Sequence, residues 1–108
     1  MNLSAGGKID IRQTGQLPPH IEYSIPADQP DVYYDSTTQE ITIDGDDYGY
    51  VNYYDVVIMS QTTWDVVIST QVDGDYDTID VSSLPTGEYV ITIYSPLNNT
   101  FEGFFEIE

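Results

Sequence analysis

The chain has 108 residues, with 19 Asp and Glu against two Lys and Arg, a formal net charge of −17 and no cysteine. That is the length of one domain, and 40% hydrophobic content supports a modest core in which each large aliphatic side chain contributes roughly 1.5–3 kcal/mol on burial. Lys8 and Arg12 are the only permanent cations, which excludes nucleic-acid binding and disfavours anionic lipid, and the missing cysteines exclude disulfides, thiolate chemistry and cysteine-held zinc.

In chain order, Lys8-Ile9-Asp10-Ile11-Arg12 alternates and predicts one edge strand inside an extended, proline-rich lead-in, residues 1–30, that also holds Gly15, Pro18, Pro19, Pro26 and Pro30. Residues 31–108 carry the folded body of what is one domain overall. Val32 to Asp35 and Gln39 to Asp44 alternate around Ser36-Thr37-Thr38, a hairpin with Ile41 and Ile43 inward. Tyr53 to Ser60 is the most apolar run, with Tyr54, Val56 and Ile58 on one face and Val57 and Met59 on the other, as in a strand covered on both faces or central in its sheet. Trp64 to Thr70 follows, and the shared phase of Trp64, Val66 and Ile68 predicts that the tryptophan packs against a core edge. Tyr76 to Val81 brings Ile79 and Val81 inward.

The closing stretch is the most legible. Tyr89, Ile91 and Ile93 share one face of a strand; after the Ser95-Pro96-Leu97-Asn98-Asn99 turn, Phe101, Phe105 and Ile107 point one way and Glu102, Glu106 and Glu108 the other. Phe104 is out of phase with that core face. Leu84-Pro85-Thr86-Gly87-Glu88-Tyr89 puts a tyrosine at a strand start just after a tight turn, a candidate tyrosine corner. No segment repeats apolar residues at helical spacing. About seven or eight short strands at roughly ten-residue intervals predict a sandwich or small barrel, and the corner favours an all-β, immunoglobulin-like antiparallel β-sandwich.

The run Ile79-Asp80-Val81-Ser82-Ser83-Leu84-Pro85-Thr86-Gly87-Glu88-Tyr89, followed by Phe101-Glu102-Gly103-Phe104-Phe105, resembles a family of small secreted immunoglobulin-like proteins of Bacteroidetes, catalogued as a domain of unknown function. It is also similar to the C-terminal sorting domains of secreted proteins in that phylum, but ends Phe105-Glu106-Ile107-Glu108 without their basic tail. The resemblance implies an immunoglobulin-like fold and export across the inner membrane, hence a secreted, periplasmic or cell-surface protein, and transfers no catalytic or binding residue. Met1 to Gly7 lacks the pattern of a signal peptide, and no run approaches the roughly 18 apolar residues of a membrane span. A transmembrane segment is therefore not expected, and a signal peptide would lie outside this sequence.

Catalysis is not expected. His20 is the only histidine, beside Pro18 and Pro19, and the chain offers no cysteine for it to activate. No cofactor is expected except calcium, for which Asp44, Asp46, Asp47, Asp73, Asp75 and Asp77 are the candidate ligands. Strand parity sends both aspartate clusters and the Asn98-Asn99 turn to one pole. An EF-hand is excluded, because Thr78 stands where that loop needs Gly and Leu84 where it needs Glu. The plain alternative is solvated loop aspartates that terminate strands. Tyr48, Tyr50, Tyr76, Asn98 and Asn99 are the candidate ligand-binding residues, since flat rings beside polar groups stack on sugars and are enriched at protein interfaces. The expectation is a non-catalytic module in protein interaction or envelope structure, with a protein or glycan partner at the cell surface; the alternative is a small carbohydrate- or calcium-binding module.

Overall fold

Alternation along each strand sorts the side chains into one buried and one outward set, and two sheets close over the buried sets. The computed structural model describes residues 7–14, 28–45 and 51–108. Its strands are β1 (Gly7–Ile9), β2 (Ile11–Gln13), β3 (Asp31–Asp35), β4 (Glu40–Asp44), β5 (Tyr53–Ser60), β6 (Val66–Asp73), β7 (Tyr76–Asp80), β8 (Gly87–Tyr94) and β9 (Thr100–Ile107). One sheet has the order β1-β3-β4-β7 and the other β2-β9-β8-β5-β6, with every pair antiparallel. Val32, Ile41 and Ile43 from the first meet Val56, Ile58, Ile91, Ile93 and Phe101 from the second, all without exposed surface. The described residues contain no helix.

The predicted first edge strand is in fact two. Its alternation holds, with Ile9 and Ile11 buried, but the chain changes sheets at Asp10, so β1 pairs with β3 and β2 with β9. One short segment thus covers an edge of each sheet, which a sequence pattern of period two cannot distinguish from a single strand.

Trp64 is a correction. It is 65% exposed, in the turn between β5 and β6, with φ 61° and its amide bonded to the Ser60 carbonyl oxygen. A β-bulge breaks the phase that linked it to Ile68: Ile58 pairs with Ile68, but Met59 pairs with Val66, leaving Val67 as the extra residue. Val66 therefore moves to the outward face.

Tyr89 forms the corner. Its hydroxyl donates to the Pro85 carbonyl oxygen at 2.5 Å, and its ring stacks on Phe105 with centroids 5.6 Å apart. Tyr89→Phe should cost about 1 kcal/mol in urea denaturation, the net contribution of one such bond, with the fold retained. Burial raises the pKa of both Tyr89 and Tyr34. Their contribution to stability is complete below the ordinary tyrosine value of about 10 and is lost as pH rises through the folded values, so Tyr89→Phe should unfold less steeply in alkali.

Candidate functional site

Two regions stand out. The first is the acidic pole, where the ends of β4, β6 and β8 and the starts of β5, β7 and β9 converge. The two acidic loops are docked there backbone to backbone: the Gly45 amide donates to the Asp75 carbonyl oxygen at 3.0 Å and the Gly74 amide to the Asn52 carbonyl oxygen at 3.0 Å. The carboxylates organise the β6–β7 turn. Asp73 accepts from the Asp75 amide at 2.8 Å, and Asp77 accepts from the amides of Asp73 at 2.9 Å and Thr78 at 2.8 Å. Asp44 lies at the end of β4, opposite Asp31 and Tyr76. Among the described residues no group of three or more His, Cys, Asp or Glu could hold a metal ion. Asp46, Asp47, Tyr48, Tyr50 and His20 lie outside the described residues.

The Asn98-Asn99 turn faces a different task. Asn98 takes φ 66°, the left-handed conformation asparagine tolerates, while Asn99 is half-buried. The Asn99 amide donates to both carboxylate oxygens of buried Asp28, at 2.8 and 2.9 Å, and its carbonyl accepts from Gln13 at 2.8 Å. The Tyr54 hydroxyl donates to the Asp28 backbone carbonyl at 2.7 Å. Asn99 thus ties β2, β9 and the approach to β3 together, a long-range role that its place in a turn did not signal. Tyr76 stands 60% exposed at the rim.

The second region is the outward face of the five-stranded sheet. The register sets Phe104, Val90, Met59 and Val66 side by side across β9, β8, β5 and β6. Phe104 is 56% and Val66 54% exposed, with Val90 buried between its neighbours. Val57 lies one row away, and Trp64 precedes the β6 end of the row. Carboxylates flank it: Glu102 and Glu106 lie on either side of Phe104 along β9, and Glu88 pairs with Glu106. Hollows open on both sides of the Phe104 ring, one lined by Gln61, Glu88 and Glu106, the other by Arg12, Thr14 and Glu102.

Among the described residues the opposite face of the sandwich has no such row. Its outward residues include the acidic row Asp35, Glu40 and Asp80, the pair Asp31 and Asp44, and Tyr33, Thr42 and Thr78. Hydrogen bonds from Ser82 lower the Asp80 pKa. Both cations are already taken by the chain's own acids, Lys8 by Asp31 at 3.1 Å and Arg12 by Asp10 at 3.6 Å, and the bond to Asp31 raises the Lys8 pKa. In sequence Phe104 is out of phase with its strand's core face, and Val57 and Met59 fall on the second face of theirs; aligning Phe104 and Met59 with Val90 and Val66 needs the register of four strands and the bulge at Val67.

No family model matches the chain, and no curated protein is similar to it. Among solved structures it is similar to a DUF3244 family protein with an immunoglobulin-like β-sandwich fold from Bacteroides vulgatus, with 15% identity, a TM-score of 0.70, and coverage of 95% of this chain and 99% of that one. At that identity the likeness shows the fold, an immunoglobulin-like β-sandwich, and it agrees with the type of protein that the Leu84–Tyr89 corner resembles. Among the described residues no helix is long and apolar enough to cross a membrane.

Proposed function

We propose that this immunoglobulin-like sandwich, built like a Bacteroides protein from a family known by a number alone, is a non-catalytic binding module that works outside the cytoplasmic membrane and holds a protein partner on the outward face of its five-stranded sheet. The row Phe104, Val90, Met59 and Val66 carries this reading. A solvated sheet face ordinarily alternates polar residues outward, and four apolar residues side by side in register are what a partner needs for the dry centre of an interface. The flanking Glu88, Glu102 and Glu106 then form the polar rim, and their charge selects a partner with a cationic surround. A second copy of this chain, at −17, is the wrong partner.

The non-catalytic part draws support from a chain without cysteine and from loop aspartates engaged in turn hydrogen bonds. Export is supported by the resemblance to secreted proteins and is tested by whether protease added to intact source cells reaches the chain.

Site-specific photocrosslinking tests the interface. A benzophenone side chain at position 104 should crosslink to a discrete protein in the source cells, whereas the same group at position 33, outward on the other sheet, should not. The captured protein, once purified, should bind Phe104→Ser about 30-fold more weakly or worse, as at a hot-spot aromatic. Equal crosslinking at both positions, or unchanged affinity for Phe104→Ser, would contradict the proposal.

A further inference from the structure

The four sheet edges are not treated alike. β1 and β2 are three residues long and carry Lys8 and Arg12, while β7 is five residues long and carries Asp77 and Asp80. Short length and charge are the ordinary protection of an edge against pairing with another chain. β6 has neither. It runs for eight residues on the edge of the five-stranded sheet, and from Val66 to Val72 no side chain is charged, in a chain with 19 acids. Its one interruption is the bulge at Val67; from Ile68 to Asp73 the register with β5 is regular. Most of it is exposed, and among the described residues only β5 pairs with it.

We infer that β6 is a strand-addition site, and that its occupant is an extended, cationic segment of another protein, which joins the sheet as a sixth strand. The backbone donors and acceptors that β6 turns away from β5, other than the Asp73 amide held by Asp77, supply affinity without regard to side-chain identity. Charge decides the class of partner. Asp65 stands at one end of the strand and Asp73 at the other, Asp55 lies across from Gln71 and accepts its amide at 3.1 Å, and the chain's own cations are paired elsewhere. A segment with basic residues at both ends of a short β-prone core meets these carboxylates. A second copy does not: symmetric antiparallel pairing about Ser69 sets Asp65 against Asp73 at both ends. Phe104, Val90 and Met59 are not needed for the inference, and Val66 is the one residue of the outward row that β6 contributes.

The probe is a synthetic peptide of about ten residues with alternating valine and threonine between terminal lysines, the length that spans β6. It should bind the whole chain, slow amide hydrogen exchange within residues 68–73, and lose affinity at higher salt. Its analogue N-methylated at alternate residues, on the edge that would face β6, should bind at least tenfold more weakly, about the effect expected of even one or two lost main-chain bonds. The analogue with glutamates in place of the lysines should weaken by a similar factor. Because these changes are made on the peptide, the fold of the protein is not at issue. Ser69→Pro should abolish binding and Phe104→Ser should leave it intact. No binding of the lysine peptide up to about 1 mM, equal binding of the N-methylated form, or loss on Phe104→Ser alone overturns the inference.

Discussion

Replacing Phe101 by alanine should destabilise the protein by about 3–5 kcal/mol, whereas the same change at Phe104, three residues along the same strand, should cost no more than about 1 kcal/mol. Phe101 has no exposed surface and sits on the inward face of β9, opposite Ile93 on β8 and Gln13 on β2. Removing its ring loses the transfer energy of a large side chain and leaves a cavity that a close-packed sandwich refills only in part. Phe104, 56% exposed on the other face, leaves water where water already was. A domain of this size has a total stability of about 5–15 kcal/mol, so Phe101→Ala should come close to unfolding at room temperature. Urea titrations of the two variants decide it, and equal costs would mean that the phase of β9 is wrong.

Gly74→Ala should cost about 2–4 kcal/mol, and Gly45→Ala a similar amount. A Cβ on Gly74 would lie 2.2 Å from the Val51 carbonyl oxygen and 2.8 Å from the Asn52 carbonyl carbon; on Gly45 it would lie 1.7 Å from the Gly74 carbonyl oxygen. The obstructing atoms are backbone, so no side chain can swing aside. Relief comes only by separating the two loops, which breaks the Gly45–Asp75 and Gly74–Asn52 hydrogen bonds. Because either substitution undoes the same docking, the double variant should cost clearly less than the sum of the two. Full additivity in melting or urea experiments would show that the loops are not coupled.

Much of the architecture is legible in the chain because it rests on local alternation. Ile41 and Ile43, Tyr54 to Ile58, Tyr89 to Ile93 and Phe101 to Ile107 announce their inward faces at period two, and the Tyr89 hydroxyl finds Pro85 four residues upstream. What escapes is non-local or breaks the period. Asp10 divides one alternating run between two sheets, and nothing in Lys8 to Arg12 marks the division. The bulge at Val67 inverts the phase of Val66, and Trp64 takes a left-handed turn conformation unusual for its type. Asn99 reads as a turn residue and is instead a half-buried clasp on buried Asp28. The apolar row spreads one residue over each of four strands, so each member looks like an isolated exception until the register aligns them.

The most direct test of the binding face is the amide chemical-shift footprint of the photocrosslinked partner, once purified, on the isotopically labelled chain. Perturbations should centre on Phe104, Val90, Met59 and Val66 and extend to Glu88, Glu102 and Glu106. A footprint centred instead on Tyr33, Thr42 and Thr78 of the opposite sheet, or on the acidic loops around Asp44 and Asp75, would contradict the proposed face.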